Sequence, residues 1–387
     1  MMNMDNKVYK VEKLVHGGLG LVRDTEGVVF VAFVIPGETV RIGAIRKERR
    51  RRTAERVEVV EPSPERAVPP CPLFGRCGGC QLQHVSYEAQ LRFKREIVQE
   101  VLARLAGVEA EVAPVLPAAS PWHYRARIKL QVRRGIAGFF AEGANELLPV
   151  PHCYIARDEL NALLPTLGGL VRARGTETVE LMLLPDGGLW AIAAGRGRKT
   201  YRWVNGGWTP DAGQRAAFSQ VNPERNEALR ELVAGLAGQG PCAKAIDLYA
   251  GTGNLAGALL GRCEQVTAVD SDPAAMELGR RSIGKDHAAR VRFVNMKAED
   301  FLAGASDADR PDLVVLDPPR SGARPAVSGI IRLAPPRVIY VSCDPATLAR
   351  DLKDLAREGY ALRSITPLDM FPQTAHIETV SLIVREG

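Results

Sequence analysis

The sequence predicts an α/β fold whose C-terminal part is a doubly wound parallel sheet. Short apolar strands alternate with helical segments from about residue 243, an order typical of a sheet with helices on both faces. Short β-prone runs with glycine turns fill residues 1–62 and predict an OB-like barrel. Residues 63–217 mix both patterns and predict a central α+β domain, which leaves residues 218–387 for the doubly wound domain.

The composition is that of an ordinary globular protein. Hydrophobic residues make up 46% and charged residues 25%, and the net charge of +6 permits a polyanionic partner. Residues 1–9 lack the apolar stretch of a signal peptide, and the longest apolar run, Val28–Ile35, is too short to span a membrane. We therefore expect a cytoplasmic protein without a membrane partner. In that reducing compartment the seven cysteines are expected to be ligands, nucleophiles or core residues, not disulfides, with Cys242 and Cys263 in the core.

Two segments before residue 130 carry many cations. The basic run Arg46–Arg52 follows the predicted barrel strands. A solvated strand edge explains such a run, but its place on an OB-like barrel favours contact with phosphates. Further along, Ser86 can cap a helix over residues 86–106, which could pack on the C-terminal domain. The segment Trp122–Lys129 then mixes aromatic and basic residues on a predicted strand.

A glycine-rich loop follows the first strand of the predicted parallel sheet. It reads Asp247-Leu-Tyr-Ala-Gly-Thr-Gly-Asn254 and opens a helix, so its backbone can approach a ligand closely. A dinucleotide fingerprint would need a third glycine at Ala256, whereas an acid before G-x-G is typical of S-adenosylmethionine-dependent methyltransferases. Asp270 ends the second strand, where a carboxylate can accept ribose hydroxyls, and Asp317-Pro-Pro-Arg320 ends a later one. A merely structural turn is the alternative for the loop alone.

A cysteine and a glutamate complete the candidate site. The strand Val338–Ser342 places Cys343 at the carboxyl edge of the sheet, just before a helix whose dipole is expected to lower the thiol pKa. A small buried core cysteine is the alternative. Glu378 and His376 lie on a strand-like segment, where Glu378 is either an exposed acid or a general base.

These motifs together resemble the bacterial RNA 5-methyluridine methyltransferases, a family that acts on tRNA or 23S rRNA. The matching pieces are Phe218-Ser-Gln-Val-Asn222, the glycine loop from Asp247 to Asn254, Asp317-Pro-Pro-Arg320, Ser342-Cys-Asp-Pro-Ala-Thr-Leu-Ala-Arg-Asp351 and Phe371-Pro-Gln-Thr374 with His376 and Glu378. The N-terminal residues resemble the TRAM domain of that family.

The resemblance implies a Rossmann-like methyltransferase domain with the following site. Gln220, Tyr249, Asp270 and Asp317 would bind S-adenosylmethionine, assisted by Asn254, while Cys343 would be the nucleophile and Glu378 the base. A thiolate adding to carbon 6 of uracil makes carbon 5 nucleophilic, and a base must later remove the carbon-5 proton. Gln220 could also donate to the uracil edge. Asp270 departs from the family, because many members carry Glu there.

The remaining cysteines form a separate cluster. Cys71, Cys77 and Cys80 are close in sequence, and Cys153 could supply a fourth thiolate for an iron–sulfur cluster or zinc. The resemblance implies a [4Fe-4S] cluster and hence a central iron–sulfur domain. The spacing differs from C-x3-C-x2-C of radical enzymes, so we expect a structural or RNA-positioning cluster. In this context an RNA-facing role for part of Trp122–Lys129 is favoured.

Two other functions remain open from the sequence. An RNA cytosine-C5 methyltransferase would also use a cysteine nucleophile, but the segment Phe371–Glu378 favours uracil by resemblance. A non-catalytic RNA-binding or assembly factor would not need Cys343, Glu378 and the glycine loop together. The expectation is therefore a monomeric enzyme whose partner is RNA.

Overall fold

The computed structural model of the chain describes residues 7–48, 51–170, 176–194, 197–211, 220–306 and 310–386. Phe218 and Ser219 of the first matching motif, Arg49 and Arg50 of the basic run, and the predicted boundary between residues 217 and 218 lie outside these ranges. The described residues form three sheets, one after another along the chain.

The first sheet is small and has six strands. They are β1 (Val8–Lys10), β2 (Lys13–Val15), β3 (Leu19–Asp24), β4 (Gly27–Val31), β5 (Thr39–Glu48) and β6 (Arg51–Glu61). Their order is β1-β5-β6-β4-β3-β2, antiparallel except for one parallel pair between Phe30 and Thr53. The core is mostly valine, a β-branched residue that fits a pleated surface. This β-rich N-terminal unit confirms the predicted fold for this part of the chain.

The described residues of the basic run lie on the paired strands β5 and β6. Lys47 Nζ lies 2.6 Å from a carboxylate oxygen of Glu26, and Arg52 binds both oxygens of Asp24 at 2.6 Å. These acids belong to the same sheet and offset part of the positive charge of the run. Contact of the run with phosphates therefore stays a prediction.

Helix α1 (Tyr87–Val101) continues into a π-helical turn, Leu102–Ala106, which ends at Gly107 in a left-handed conformation with φ 70°. Ser86 occupies the N-cap position but makes no side-chain hydrogen bond to the helix. The helix precedes the second sheet, yet its buried residues Phe93, Ile97 and Val98 share one core with the third sheet. None of the described helices is long and apolar enough to cross a membrane.

The second sheet has seven antiparallel strands. They are β7 (Arg127–Arg133), β8 (Ile136–Phe140), β9 (Leu147–Pro149), β10 (Thr176–Leu183), β11 (Leu189–Ala194), β12 (Arg198–Val204) and β13 (Gly207–Pro210), with helix α2 (Asp158–Asn161) and a 3-10 segment, Leu164–Leu170, packed against one face. The segment Trp122–Lys129 enters this sheet only at Arg127. Tyr124 is 3% exposed and donates from its hydroxyl to the Pro372 carbonyl at 3.0 Å, so it is not among the residues of this segment that could face RNA, and such a role for the others stays a prediction.

The third sheet has the order β16-β15-β14-β17-β18-β20-β19. Its elements are α3 (Pro223–Ala237), β14 (Lys244–Leu248), α4 (Asn254–Leu259), β15 (Gln265–Asp270), α5 (Pro273–Ser282), β16 (Val291–Asn295), α6 (Ala298–Gly304), β17 (Leu313–Leu316), α7 (Arg324–Leu333), β18 (Arg337–Ser342), α8 (Pro345–Arg357), β19 (Tyr360–Leu368) and β20 (Glu378–Arg385). The first five strands of the sheet are parallel, which confirms the predicted doubly wound fold, and β20 inserts antiparallel between β18 and β19.

Three helices of this domain begin with the same local signal. A side-chain oxygen at the N-cap accepts a backbone N–H of the first turn, and proline follows at the first helical position, where its missing N–H costs nothing. The caps are Asn222, Asp272 and Asp344. The start of each of these helices is therefore encoded by two consecutive residues, the cap and the proline.

The expectation that no disulfide forms is wrong for Cys242 and Cys263. Their sulfur atoms are bonded, with the Cα atoms 4.7 Å apart. Cys242 precedes β14 and Cys263 follows α4, and the Glu264 N–H donates to the Cys242 carbonyl at 3.0 Å. This backbone pairing brings two distant cysteines together, which the spacing in the sequence does not reveal.

Candidate active site

The two candidate catalytic side chains and the candidate cofactor residue Asp317 meet at the carboxyl edge of the third sheet. Asp317 follows β17 and Cys343 follows β18. Glu378 begins β20, and because Ser342 pairs with Thr379 in the antiparallel register, Glu378 lies beside Cys343 at the same edge. The antiparallel insertion of β20 thus brings the predicted base to the predicted nucleophile.

Burial raises the pKa of all three groups, and neighbouring charges raise those of Glu378 and Cys343 further. Burial raises the pKa of Glu378 well above its usual value, and the nearby Asp317 charge raises it further. Burial also raises the pKa of Asp317 to about 7. For Cys343, burial and then the charges of Glu378 and Asp317 raise the pKa to about 11, against a lowering effect of Arg320. The ligand-free site therefore holds a neutral thiol.

The expected lowering of the Cys343 pKa by helix α8 is therefore wrong. The side chain of Asp344 accepts the backbone N–H groups of Ala346 and Thr347 at 2.9 and 3.1 Å. Those N–H groups would have stabilised a thiolate, but the cap already occupies them, and the Asp344 charge itself raises the thiol pKa.

Arg320 is close enough to Cys343 for its charge to act on the thiol, and Arg320 in turn contacts His376. A terminal nitrogen of Arg320 lies 3.0 Å from Nε2 of His376. Burial, followed by the charge of Arg320, lowers the pKa of His376 to about 4, so the imidazole is neutral at pH 7. The pair leaves Arg320 as a cation close to Cys343.

A cavity of about 380 Å³ opens beside these groups, in the size range of small-ligand sites. It lies where the glycine loop meets α3 and the end of β10. Predicted cofactor residues that line it are Gln220, Tyr249, Asn254 and Asp317, joined by Asp247, Glu227, Leu183 and Pro185 among others. The second sheet therefore contributes to a cavity that the sequence placed wholly in the C-terminal domain.

Asp270 is not among the residues that line this cavity. Its carboxylate accepts the backbone N–H of Gly251 and of Asp272, each at 2.8 Å. The short side chain thus supports the glycine loop. Oxygens that accept one hydrogen bond can accept another, so contact with a ribose stays a prediction.

Asp247 is the residue of this site that the predicted set omits. It is fully buried, and one carboxylate oxygen accepts the Ala256 N–H at 2.8 Å. The other oxygen has no hydrogen-bond partner in the described part of the chain. Burial, and then the nearby Asp317 and Asp270, raise the pKa of Asp247 to about 8 against the lowering effect of the Ala256 N–H. The signal was present in the sequence as the acid that precedes the two glycines.

The glycine loop is held in a strained conformation. Tyr249 has φ 60°, a left-handed value that is unusual for a tyrosine. The amide of Asn254 exchanges two hydrogen bonds with the amide of Asn226, at 2.8 and 3.1 Å, and so ties the loop to α3. A Cβ on Gly279 would lie 2.9 Å from the Thr252 carbonyl oxygen, so α5 also approaches the loop closely.

The four clustered cysteines lie by the second sheet and are not among the residues that line the cavity. Burial, and then the proximity of Cys153, Cys77 and Cys71, raises the pKa of Cys80 to about 12, so the thiols lie near one another. Over the described residues, however, no three His, Cys, Asp or Glu side chains are arranged to hold a metal ion. The donor types suit a cluster, but their arrangement does not establish the predicted iron–sulfur domain.

Comparisons with known proteins identify the family. The family described as tRNA (Uracil-5-)-methyltransferase matches residues 212–386, and the TRAM domain of tRNA (uracil(54)-C(5))-methyltransferase matches residues 9–65. The 23S rRNA (uracil(1939)-C(5))-methyltransferase RlmD of Alkalilimnicola ehrlichii is 34% identical, covering 97% of this chain and 95% of the relative. This chain belongs to the S-adenosylmethionine-dependent RNA uracil-C5 methyltransferases.

Two further matches place this RNA uracil-C5 methyltransferase among its relatives. An uncharacterized RNA methyltransferase of Halalkalibacterium halodurans is 30% identical, covering 96% of this chain and 95% of the relative. The crystal structure of Pyrococcus abyssi tRNA (uracil-54, C5)-methyltransferase in complex with S-adenosyl-L-homocysteine superposes with a TM-score of 0.74 over 98% of this chain and 100% of that one, at 23% identity. That likeness confirms the fold.

Proposed function

We propose that this enzyme transfers a methyl group from S-adenosylmethionine to carbon 5 of a uridine in 23S rRNA or tRNA. The main support is structural: Cys343, Glu378 and Asp317 lie together at one edge of the third sheet, beside a cavity that the glycine loop helps to form. Family membership supplies the reaction class.

The methyl donor would occupy the 380 Å³ cavity. When bound, S-adenosylmethionine supplies a methyl group on a positively charged sulfur. The unpartnered oxygen of Asp247 is suited to the α-ammonium group of the donor, because a buried carboxylate needs a cation or a donor. Gln220, Tyr249 and Asn254 would contact the rest of the donor, with Asp270 supporting the loop.

The two reacting side chains would act in sequence. The Cys343 thiolate adds to carbon 6 of uracil, and the electron pair moves to carbon 5 and its conjugated carbonyl. Carbon 5 then attacks the methyl group, and the sulfur of the donor takes the electrons of the broken bond. Glu378, as a carboxylate, removes the carbon-5 proton, the carbon 5–carbon 6 double bond re-forms and the thiolate leaves.

Substrate binding must lower the two raised pKa values for this sequence to run. Burial keeps Glu378 and Cys343 protonated in the free protein. A positive charge in the cavity next to Asp317 would favour the ionised forms of all three groups. Arg320 acts in the same direction on Cys343, so the thiolate would form chiefly in the loaded enzyme.

Incubation of the purified protein with the methyl donor and unmodified tRNA or 23S rRNA, followed by nucleoside mass spectrometry, tests the proposal. We expect 5-methyluridine in one RNA with the wild type and none with Cys343→Ala, because no other side chain replaces the attacking sulfur. 5-Methylcytidine would instead establish a cytosine enzyme. Methylation by Cys343→Ala would refute the covalent mechanism, and no product with either RNA would refute the reaction.

For the cysteine cluster, we infer that Cys71, Cys77, Cys80 and Cys153 hold a [4Fe-4S] cluster with no role in the methyl transfer. The resemblance and the gathering of four thiols support this inference. Iron and sulfide analysis of anaerobically purified protein tests it, with Cys77→Ser as the variant that should lose visible absorbance. Zinc in place of iron, or neither metal, would refute the cluster.

A further inference from the structure

The segment that leads to Glu378 is held from outside its own domain. Lys94 on α1 is 1% exposed, and its Nζ lies 2.6 Å from Oδ1 of the fully buried Asp369. The same ammonium group donates to the Phe371 carbonyl at 3.1 Å. One buried cation therefore fixes two points of the chain just before the candidate base.

A second set of contacts holds Gln373, at the centre of this segment. Gln373 has φ 67°, a left-handed value that costs a glutamine free energy unless its surroundings impose it. Gln90, one turn before Lys94 on α1, accepts the Gln373 N–H at 3.1 Å and donates to its side-chain carbonyl at 3.0 Å. The backbone N–H groups of Gln81 and Leu82 donate to the Gln373 carbonyl, each at 3.0 Å.

This arrangement is more than simple filling of a core. A buried ion pair loses much of its attraction to desolvation, and an apolar pair of the same size is often equally stable. The anchor itself is rigid, because Phe93, Ile97 and Val98 pack α1 into the core of the third sheet. A rigid donor pair on a short, strained segment fixes backbone position.

Any movement of this segment would shift the position of Glu378. It begins β20 five residues after Gln373, and its carboxyl must reach the carbon-5 proton of the substrate. A misplacement of about 1 Å in a reacting group costs about 100-fold in rate. We therefore expect the contacts of α1 to affect the step in which the base acts, while Cys343 follows β18, which also pairs with β17.

We propose that Lys94 and Gln90 are positioning residues for the base Glu378. The inference rests on the proposed covalent mechanism. If the base is displaced, attack by Cys343 and methyl transfer still occur, but removal of the carbon-5 proton slows. The methylated enzyme–RNA adduct then accumulates, which general destabilisation of the protein would not cause.

The test compares Lys94→Met and Gln90→Met with the wild type, with Glu378→Gln as the reference for a lost base. Lys353→Met on the exposed face of α8 makes the same chemical change away from the site. We expect kcat to fall by about 10- to 100-fold in both α1 variants with little change in KM for RNA. A denaturation-resistant, methylated protein–RNA adduct should accumulate in them and in Glu378→Gln, but not in Lys353→Met.

A double variant separates positioning from stability. Lys94→Met leaves the buried Asp369 carboxylate without its cation, so thermal stability should fall, and Lys94→Met/Asp369→Asn should recover it. The proposal requires kcat to stay low in the double variant, because methionine cannot donate to the Phe371 carbonyl. Full recovery of kcat, or low kcat without adduct while Glu378→Gln accumulates it, would overturn the positioning role. No adduct in Glu378→Gln would refute the base itself, and this inference with it.

Discussion

Asp247→Asn should stabilise the cofactor-free protein at high pH and abolish binding of the methyl donor. Asparagine has the shape of a protonated aspartic acid but does not ionise. The wild-type carboxyl has a pKa of about 8 in the folded protein, against the usual aspartate pKa of 3.8 in the unfolded chain. A carboxyl with a raised pKa contributes most stability below pH 4 and loses that contribution as pH rises to about 8.

The size of the effect follows from this difference of about four pKa units. At about 1.4 kcal/mol per unit, ionisation of Asp247 would cost at most about 6 kcal/mol of unfolding free energy. For a domain of this size that corresponds to about 10 °C in Tm. The Tm of the variant minus that of the wild type should therefore grow with pH between 5 and 9.

Thermal unfolding of both proteins without ligand, at intervals from pH 5 to pH 9, measures this difference. All other titrating groups are shared, so their contributions cancel. Addition of S-adenosylmethionine should raise the Tm of the wild type only, because Asp247 then gains its cationic partner. A Tm difference that does not change with pH would show that Asp247 is not held neutral, and equal stabilisation of both proteins by the donor would refute its role in binding.

Two further predictions concern the same site. Because burial raises the pKa of Cys343 to about 11 in the free protein, kcat/KM, which reports ionisation of the free enzyme, should rise more than about tenfold from pH 6 to pH 9; a flat pH profile of kcat/KM would contradict this assignment. Gly279→Ala would press a Cβ against the Thr252 carbonyl of the cofactor loop and should raise KM for the methyl donor by about tenfold. A Cβ added by Gly235→Ala would meet no atom within 4 Å, so this variant should leave KM for the methyl donor unchanged. Equal KM values for the two variants would show that crowding of the Thr252 carbonyl does not weaken donor binding.

Much of the fold could be predicted because its signals are local. The strands that precede Asp270, Asp317 and Cys343 are short apolar runs, and the helices after them start at a cap followed by proline. A parallel sheet places the carboxyl ends of its strands at one edge, so the order of motifs alone placed Asp317 and Cys343 near each other. These features depend on residues a few positions apart.

The electrostatics of the site could not be predicted in this way. The sequence suggested a thiol activated by a helix, whereas Asp344 occupies the helix N-terminus and burial raises the thiol pKa. The empty hydrogen-bond position of Asp247 likewise follows from how completely the fold buries it. The desolvation of a group depends on every element packed around it, so a local sequence pattern does not predict the resulting pKa shift.

Local sequence patterns were enough to predict the family, the alternation of strands and helices, and a candidate nucleophile, an acid and a glycine loop at strand ends. The surroundings of these groups depend on contacts between distant parts of the chain. The bond between Cys242 and Cys263, the insertion of β20 that brings Glu378 to Cys343, and the contact of Lys94 with Asp369 across 275 positions are long-range pairings. Such pairings are selected by the packing of the whole chain, because each forms only when the elements that carry it are already in place.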